Sequence, residues 1–122
     1  MLPIVVGQTE LEEVAGVIEA AVAHSAAGTV VLCSTDLSKY LDPATALVRD
    51  AQTVQAILAL APDEIDPQVV CGSFALRGLL GWAREHRLAP NLLHLSTVPT
   101  GRSDRAVGYT AIEFVAGRDG SP

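Results

Sequence analysis

The stretch Val30-Val31-Leu32-Cys33-Ser34-Thr35-Asp36-Leu37-Ser38-Lys39-Tyr40 decides how the chain is read. Residues 30–33 form an unbroken apolar run that stops at three small polar residues; an acid, the only lysine of the chain and an aromatic follow. Such a run predicts a strand buried on both faces, the state of a central strand in a parallel sheet. In open α/β sheets ligands gather beyond the carboxyl ends of the strands. Residues 34–40 are therefore where chemistry is expected first.

Upstream, residues 2–6 read as a short first strand ending at Gly7, with Pro3 suited to a strand start. Thr9 and Glu12 make a capping-box pattern, and Leu11, Val14, Ala15, Ile18, Ala21 and Val22 recur at helical spacing. Glu10, Glu12 and Glu13 crowd the first turn, where the helix dipole favours negative charge. Ala26-Ala27-Gly28 closes this helix, and residues 29–34 complete a βαβ unit with an expected right-handed crossover.

Downstream, Asp42 is the expected N-cap of a second helix, with Pro43 at its first position, where a missing N–H costs nothing. Leu47, Val48, Ala51, Val54, Leu58 and Ala61 supply its apolar stripe until Pro62. Residues 62–67 are an acidic connection with one short helical turn. A third helix opens near Ser73 and turns Leu76, Leu79, Leu80 and Ala83 inward. Gly78 and Gly81 each weaken that helix by about 1 kcal/mol relative to alanine, which points to close packing against a neighbour. Arg84, His86 and Arg87 suit its C-terminal end, and Pro90 stops it. Residues 91–98 and 106–115 read as two antiparallel strands joined by a turn at 100–104, and residues 117–122 as a tail.

The chain has 122 residues, 49% apolar, which indicates one domain burying roughly 65–70% of its unfolded surface. The net charge is −6, divided into −8 for residues 1–66 and +2 for 67–122. An acidic chain with dispersed arginines argues against nucleic acid as a partner. No apolar run is long enough to span a membrane. Two cysteines make no disulfide framework, and nothing at the start reads as a secretory signal, so a cytoplasmic location with reduced thiols is expected.

Several residues are candidates for chemistry. Asp36, just past the apolar run, is either a carboxylate of a ligand or metal site or part of a turn capped by Ser34, Thr35 and Asp36. Lys39 is either an anchor for an anionic ligand or a partner of Asp36 or of solvent. Cys71 precedes a helix start, which lowers a thiol's pKa, and is otherwise a small buried hydrophobe. Cys33 lies within the run and reads as core. His24, His86 and His94 are scattered without metal-ligand spacing. A Ser38–His94–Asp36 triad can be drawn, but no spacing singles it out. No glycine-rich phosphate loop is present.

Residues 33–40, Cys-Ser-Thr-Asp-Leu-Ser-Lys-Tyr, resemble the Ser-Ser-Asp-(Leu/Phe)-Ser-His-Tyr motif of the MEMO family, whose bacterial and archaeal members are called AmmeMemoRadiSam system protein B. Other pieces agree in order and spacing. Residues 2–7, Leu-Pro-Ile-Val-Val-Gly, resemble the family's Val-Pro-Ile-(Leu/Val)-Val-Gly strand. Residues 50–58 resemble the helix after the motif, Val70-Cys71-Gly72 its later Cys-Gly, and residues 105–112 its terminal strand. The family is about twice this long, and the resemblance covers its second half.

The resemblance implies a partial MEMO or extradiol-dioxygenase-like fold: a three-layer α/β arrangement around a mixed, mostly parallel sheet, with strands near 2–6, 29–34, 91–98 and 105–115. Residues 1–116 would be a single C-terminal half-domain. It also implies a site in which two histidines of the first half join the motif Asp, the motif His and the later Cys. Here these last three are Asp36, Lys39 and Cys71. Lys39 departs from the pattern: an ammonium has no lone pair for a metal. Asp36 and Cys71 are then an incomplete metal set and the three positions a vestigial catalytic site. The expected function is a structural or binding module with a degenerate metal site and no cofactor. The alternative is a subunit of a split iron- or copper-dependent redox enzyme whose partner supplies the histidines. A truncated gene product is the third reading. Expected partners are a second copy or a separately encoded first-half chain.

Overall fold

The computed structural model describes residues 1–68, 70, 72–99 and 106–116. Its elements run α1 (Leu11–Ala23), β1 (Lys39–Leu41), α2 (Pro43–Leu58), a 3-10 turn (Pro62–Glu64), α3 (Ser73–Glu85), β2 (Leu88–Pro99) and β3 (Ala106–Ala116). The strands form one sheet in the order β1-β3-β2, antiparallel throughout. Helix and strand are mixed, as in an α/β protein.

The three-layer, mostly parallel sheet is not found. Residues 2–6 and 29–34 join no strand, and the sheet is antiparallel. The reason is visible in their burial. Val5 is 97% exposed and Leu32 87%, so nothing among the described residues covers their outer side. A strand buried on both faces needs a layer on each side and a hydrogen-bonded neighbour; here only α1 and α3 lie against these segments. The expected βαβ crossover lapses with them. β1 was not expected: its three residues continue the 34–38 loop into register with β3, Lys39 opposite Val107 and Leu41 opposite Ala106.

The hairpin of β2 and β3 runs in register from Leu88 opposite Ala116 to Pro99 opposite Ala106, with a shift between Leu92 and His94. Arg87, in left-handed backbone (φ 55°), turns the chain straight out of α3 into β2. Pro90 therefore lies inside β2, where it is tolerated because β2 is the sheet edge. The expected turn at 100–104 and the tail at 117–122 lie outside the described residues.

The helices follow local chemistry. Asp42 caps α2, accepting the Thr45 N–H at 3.0 Å, with Pro43 in the first turn. In α1 the N-cap is Glu10, and the Thr9 hydroxyl donates to Glu13 rather than closing a box with Glu12. In α3 the N-cap is Gly72, and Ser73 is the first helical residue, buried at 1% exposure. The core gathers Ala56 and Ile57 of α2, Ile65, Val70, and Leu76 and Leu80 of α3, with Cys33, Ile112 and Phe114 packed against it. On the other side of α3, α1 comes in at the two glycines. A Cβ on Gly78 would stand 2.2 Å from Val14 Cγ1, and one on Gly81 2.6 Å from Leu11 Cδ2. The cost of glycine in this helix is thus offset by the closeness of α1.

Candidate functional site

The loop that follows the apolar run is held from both sides. Thr35 Oγ1 accepts the Gly72 N–H at 2.7 Å and donates to the Asp36 carbonyl at 3.2 Å. Gly72 permits this approach, since a Cβ there would lie 2.6 Å from Thr35 Oγ1. The Ser-Thr-Asp segment and the segment preceding α3, thirty-seven residues apart in sequence, therefore meet through a single hydroxyl.

On the far side the loop is tied to α2. Leu37 and Ser38 are buried, at 3% and 2% exposure. The Ser38 N–H donates to Asp50 Oδ1 at 2.9 Å, and the Ser38 carbonyl accepts the Gly108 N–H at 3.3 Å. Asp50 is itself only 1% exposed. Its second oxygen, Oδ2, and the Ser38 hydroxyl have no hydrogen-bond partner among the described residues. Oδ2 presses on β3 where Gly108 lacks a side chain: a Cβ there would sit 1.8 Å from it. One carboxyl group thus joins the loop, α2 and β3.

The positions expected to carry chemistry distribute as follows. Asp36 is part-buried between the Thr35 and Leu37 anchors. The Lys39 backbone is fixed in β1, while its side chain and the whole of Cys71 lie outside the described residues. Gly72, next to Cys71, bonds Thr35, next to Asp36. No group of three His, Cys, Asp or Glu side chains able to hold a metal occurs among the described residues.

The drawn triad gains nothing. The Ser38 hydroxyl is buried, and His94 is exposed on β2, its Nε2 3.0 Å from Ser96 Oγ. Cys33 packs on the core, and burial pushes its thiol up, which disfavours the nucleophilic thiolate. His24 is the C-cap of α1. His86 joins a surface cluster between α1 and α3. Trp82 Nε1 donates to Glu19 Oε2 at 2.8 Å, His86 Nε2 lies 2.8 Å from the same oxygen, and the two ring centroids are 4.9 Å apart. These bonds, the Trp82 one first, hold the Glu19 carboxyl below its ordinary value.

Sequence reasoning missed Asp50. Its signal was an acid placed four residues before Val54, on the line of a helix stripe. It also missed the groove of about 780 Å³ lined by residues 1–7, by α1 and by residues 30–34, with Gly72, Ala75 and Leu79 as its floor. That groove is the space between the two apolar segments and the helices beneath them.

Comparison with protein-family models, with curated proteins and with solved structures returns no match. Among the described residues no helix is long and apolar enough to cross a membrane.

Proposed function

We propose that this chain is a MEMO-like half-domain with a degenerate metal site that acts as a non-catalytic structural or binding module, in a cytoplasmic setting. The observation that carries the reading is the uncovered apolar surface of residues 1–6 and 30–32, where Leu2, Val5, Val30 and Leu32 are 71%, 97%, 76% and 87% exposed. Isolated exposed apolar residues are ordinary, whereas a contiguous patch marks a contact surface. The resemblance supplies the rest: the first half of the family's fold would lie beside these segments, and Lys39 at the histidine position offers a metal no lone pair.

Metal content per chain, measured by elemental analysis after anaerobic purification without chelator, tests the reading. The expected result is no stoichiometric iron, copper or zinc, with Lys39→Ala unchanged from the parent. Stoichiometric metal that falls in Lys39→Ala would overturn it.

The alternative, a subunit of a split iron- or copper-dependent enzyme, draws support from the Thr35–Gly72 hydrogen bond. That bond draws together the two segments from which such a site would be assembled. It requires a separately encoded, histidine-rich first half; mixing the two chains would then create a metal site that neither has alone.

A further inference from the structure

We infer that residues 1–32 form an arm that opens from α3 as one unit while the rest of the fold stays closed. The inference does not depend on what the chain binds. The core closes without this segment. Its buried residues come from α2, Ile65, Val70 and α3, and the residues packed against them begin at Cys33, just past the arm. Among the described residues α1 makes its one extensive contact with α3. Of its thirteen residues only Val14 is buried, whereas α2 and α3 bury six each. A segment with so few buried apolar side chains is where local opening costs least.

The polar contacts separate as readily. Among the described residues, both hydrogen bonds from residues 1–34 to the rest of the chain end on Glu19 Oε2, one from Trp82 Nε1 and one with His86 Nε2, each at 2.8 Å. The Glu19 and His86 side chains are 53% and 42% exposed. Water therefore takes over these bonds on opening, and no buried polar group is stranded. Leu11 and Val14 stand against Gly81 and Gly78, which let α1 lie close but present no side chain to hold it. The base of the arm is fixed, because the Thr35 hydroxyl accepts the Gly72 N–H at 2.7 Å, so the hinge falls at residues 33–35. α3 keeps its other face in the core through Leu76 and Leu80. What it loses on opening is the cover over Gly78, Leu79 and Gly81. That face of α3 is exposed in the open state alone, which gives the chain two states with different surfaces.

Native-state hydrogen exchange of the 122-residue chain, followed amide by amide by NMR at urea concentrations below the global transition, tests the arm. The expected result is one protection factor shared by the amides of α1, lower by on the order of tenfold or more than that of the slowest amides in α2, α3 and β3. Gly16→Pro is the variant. Gly16 lies in mid-α1 and a Cβ there meets nothing within 4 Å, so proline acts on the helix backbone, removing a hydrogen bond and clashing with the preceding turn. Protection in α1 should vanish while α2, α3 and the sheet keep theirs to within about tenfold. Gly16→Ala, the control at the same site, should keep α1 protected. Amides of α1 as slow as those of α2 and α3, or rates graded from the helix ends inward as in fraying, overturn the inference. So does a Gly16→Pro chain that loses protection throughout.

Discussion

Replacing Gly108 by alanine would place a methyl carbon 1.8 Å from Asp50 Oδ2 and 2.7 Å from Asp50 Cγ. Neither atom can remain there, and only two adjustments are open. In the first, the Asp50 side chain swings away and releases the Ser38 N–H that Oδ1 holds at 2.9 Å. A buried donor left unsatisfied costs about 1–3 kcal/mol. In the second, β3 moves off α2 and stretches the Gly108 N–H bond to the Ser38 carbonyl, already 3.3 Å long; overpacking shifts of this kind cost about 1–3 kcal/mol. Against either stands a gain of about 0.5–1 kcal/mol for removing a glycine from a strand. The expected net loss is about 1–2 kcal/mol, read as a lower urea midpoint followed by the fluorescence of Trp82, the only tryptophan. The same substitution in an Asp50→Ala background should cost about 1 kcal/mol less, because the obstructing oxygen is gone. A Gly108→Ala protein as stable as the parent, or two substitutions whose effects simply add, would refute the claim that Asp50 braces the loop against β3.

Further outcomes follow from other contacts. Gly78→Ala brings a methyl within 2.2 Å of Val14 Cγ1, so it should destabilise by about 1–2 kcal/mol although alanine is the better helix former. Gly16→Ala in α1 meets nothing within 4 Å and should instead stabilise by up to about 1 kcal/mol, both measured by urea denaturation. The Glu19 carboxyl is held below its ordinary value of 4.5 by its bonds to Trp82 and His86. Its folded pKa being depressed, the stabilisation from this cluster is fully present above 4.5 and is lost as pH falls through the lowered value. Glu19→Gln should remove that acid-range dependence from urea midpoints measured across pH; a midpoint profile identical to the parent would exclude the cluster as its source.

The helices were legible because their signals are local. Asp42-Pro43 announces the start of α2 and caps it through Thr45. The α1 stripe has the right phase, since Leu11, Val14, Ala15, Ile18, Ala21 and Val22 are all buried or half-buried. Gly78 and Gly81 signalled a close neighbour, and α1 is that neighbour. The α2 stripe was right only in its second half, where Val54 is buried and Leu58 and Ala61 are half-buried. Leu47 and Val48 are 59% and 58% exposed, while Ala46, Asp50, Thr53 and Ile57 are buried. Hydrophobic periodicity could not place an acid on the inner face, because that placement depends on the Ser38 N–H and on the space left by Gly108, residues distant in sequence. At the candidate site, the residues 34–38 were singled out by pattern, but their anchoring through Thr35 to Gly72 was not.

By itself the amino-acid sequence determined the three helices, the Asp42 cap of α2 and the antiparallel pairing of β2 and β3, since a turn of helix or a pair of consecutive strands closes its hydrogen bonds among near neighbours. Tertiary structure alone decided the fate of residues 2–6 and 30–33. An apolar run becomes a strand only where another strand supplies hydrogen bonds along its edge and packed layers cover its faces. The described residues place helices on one side of these segments and nothing on the other.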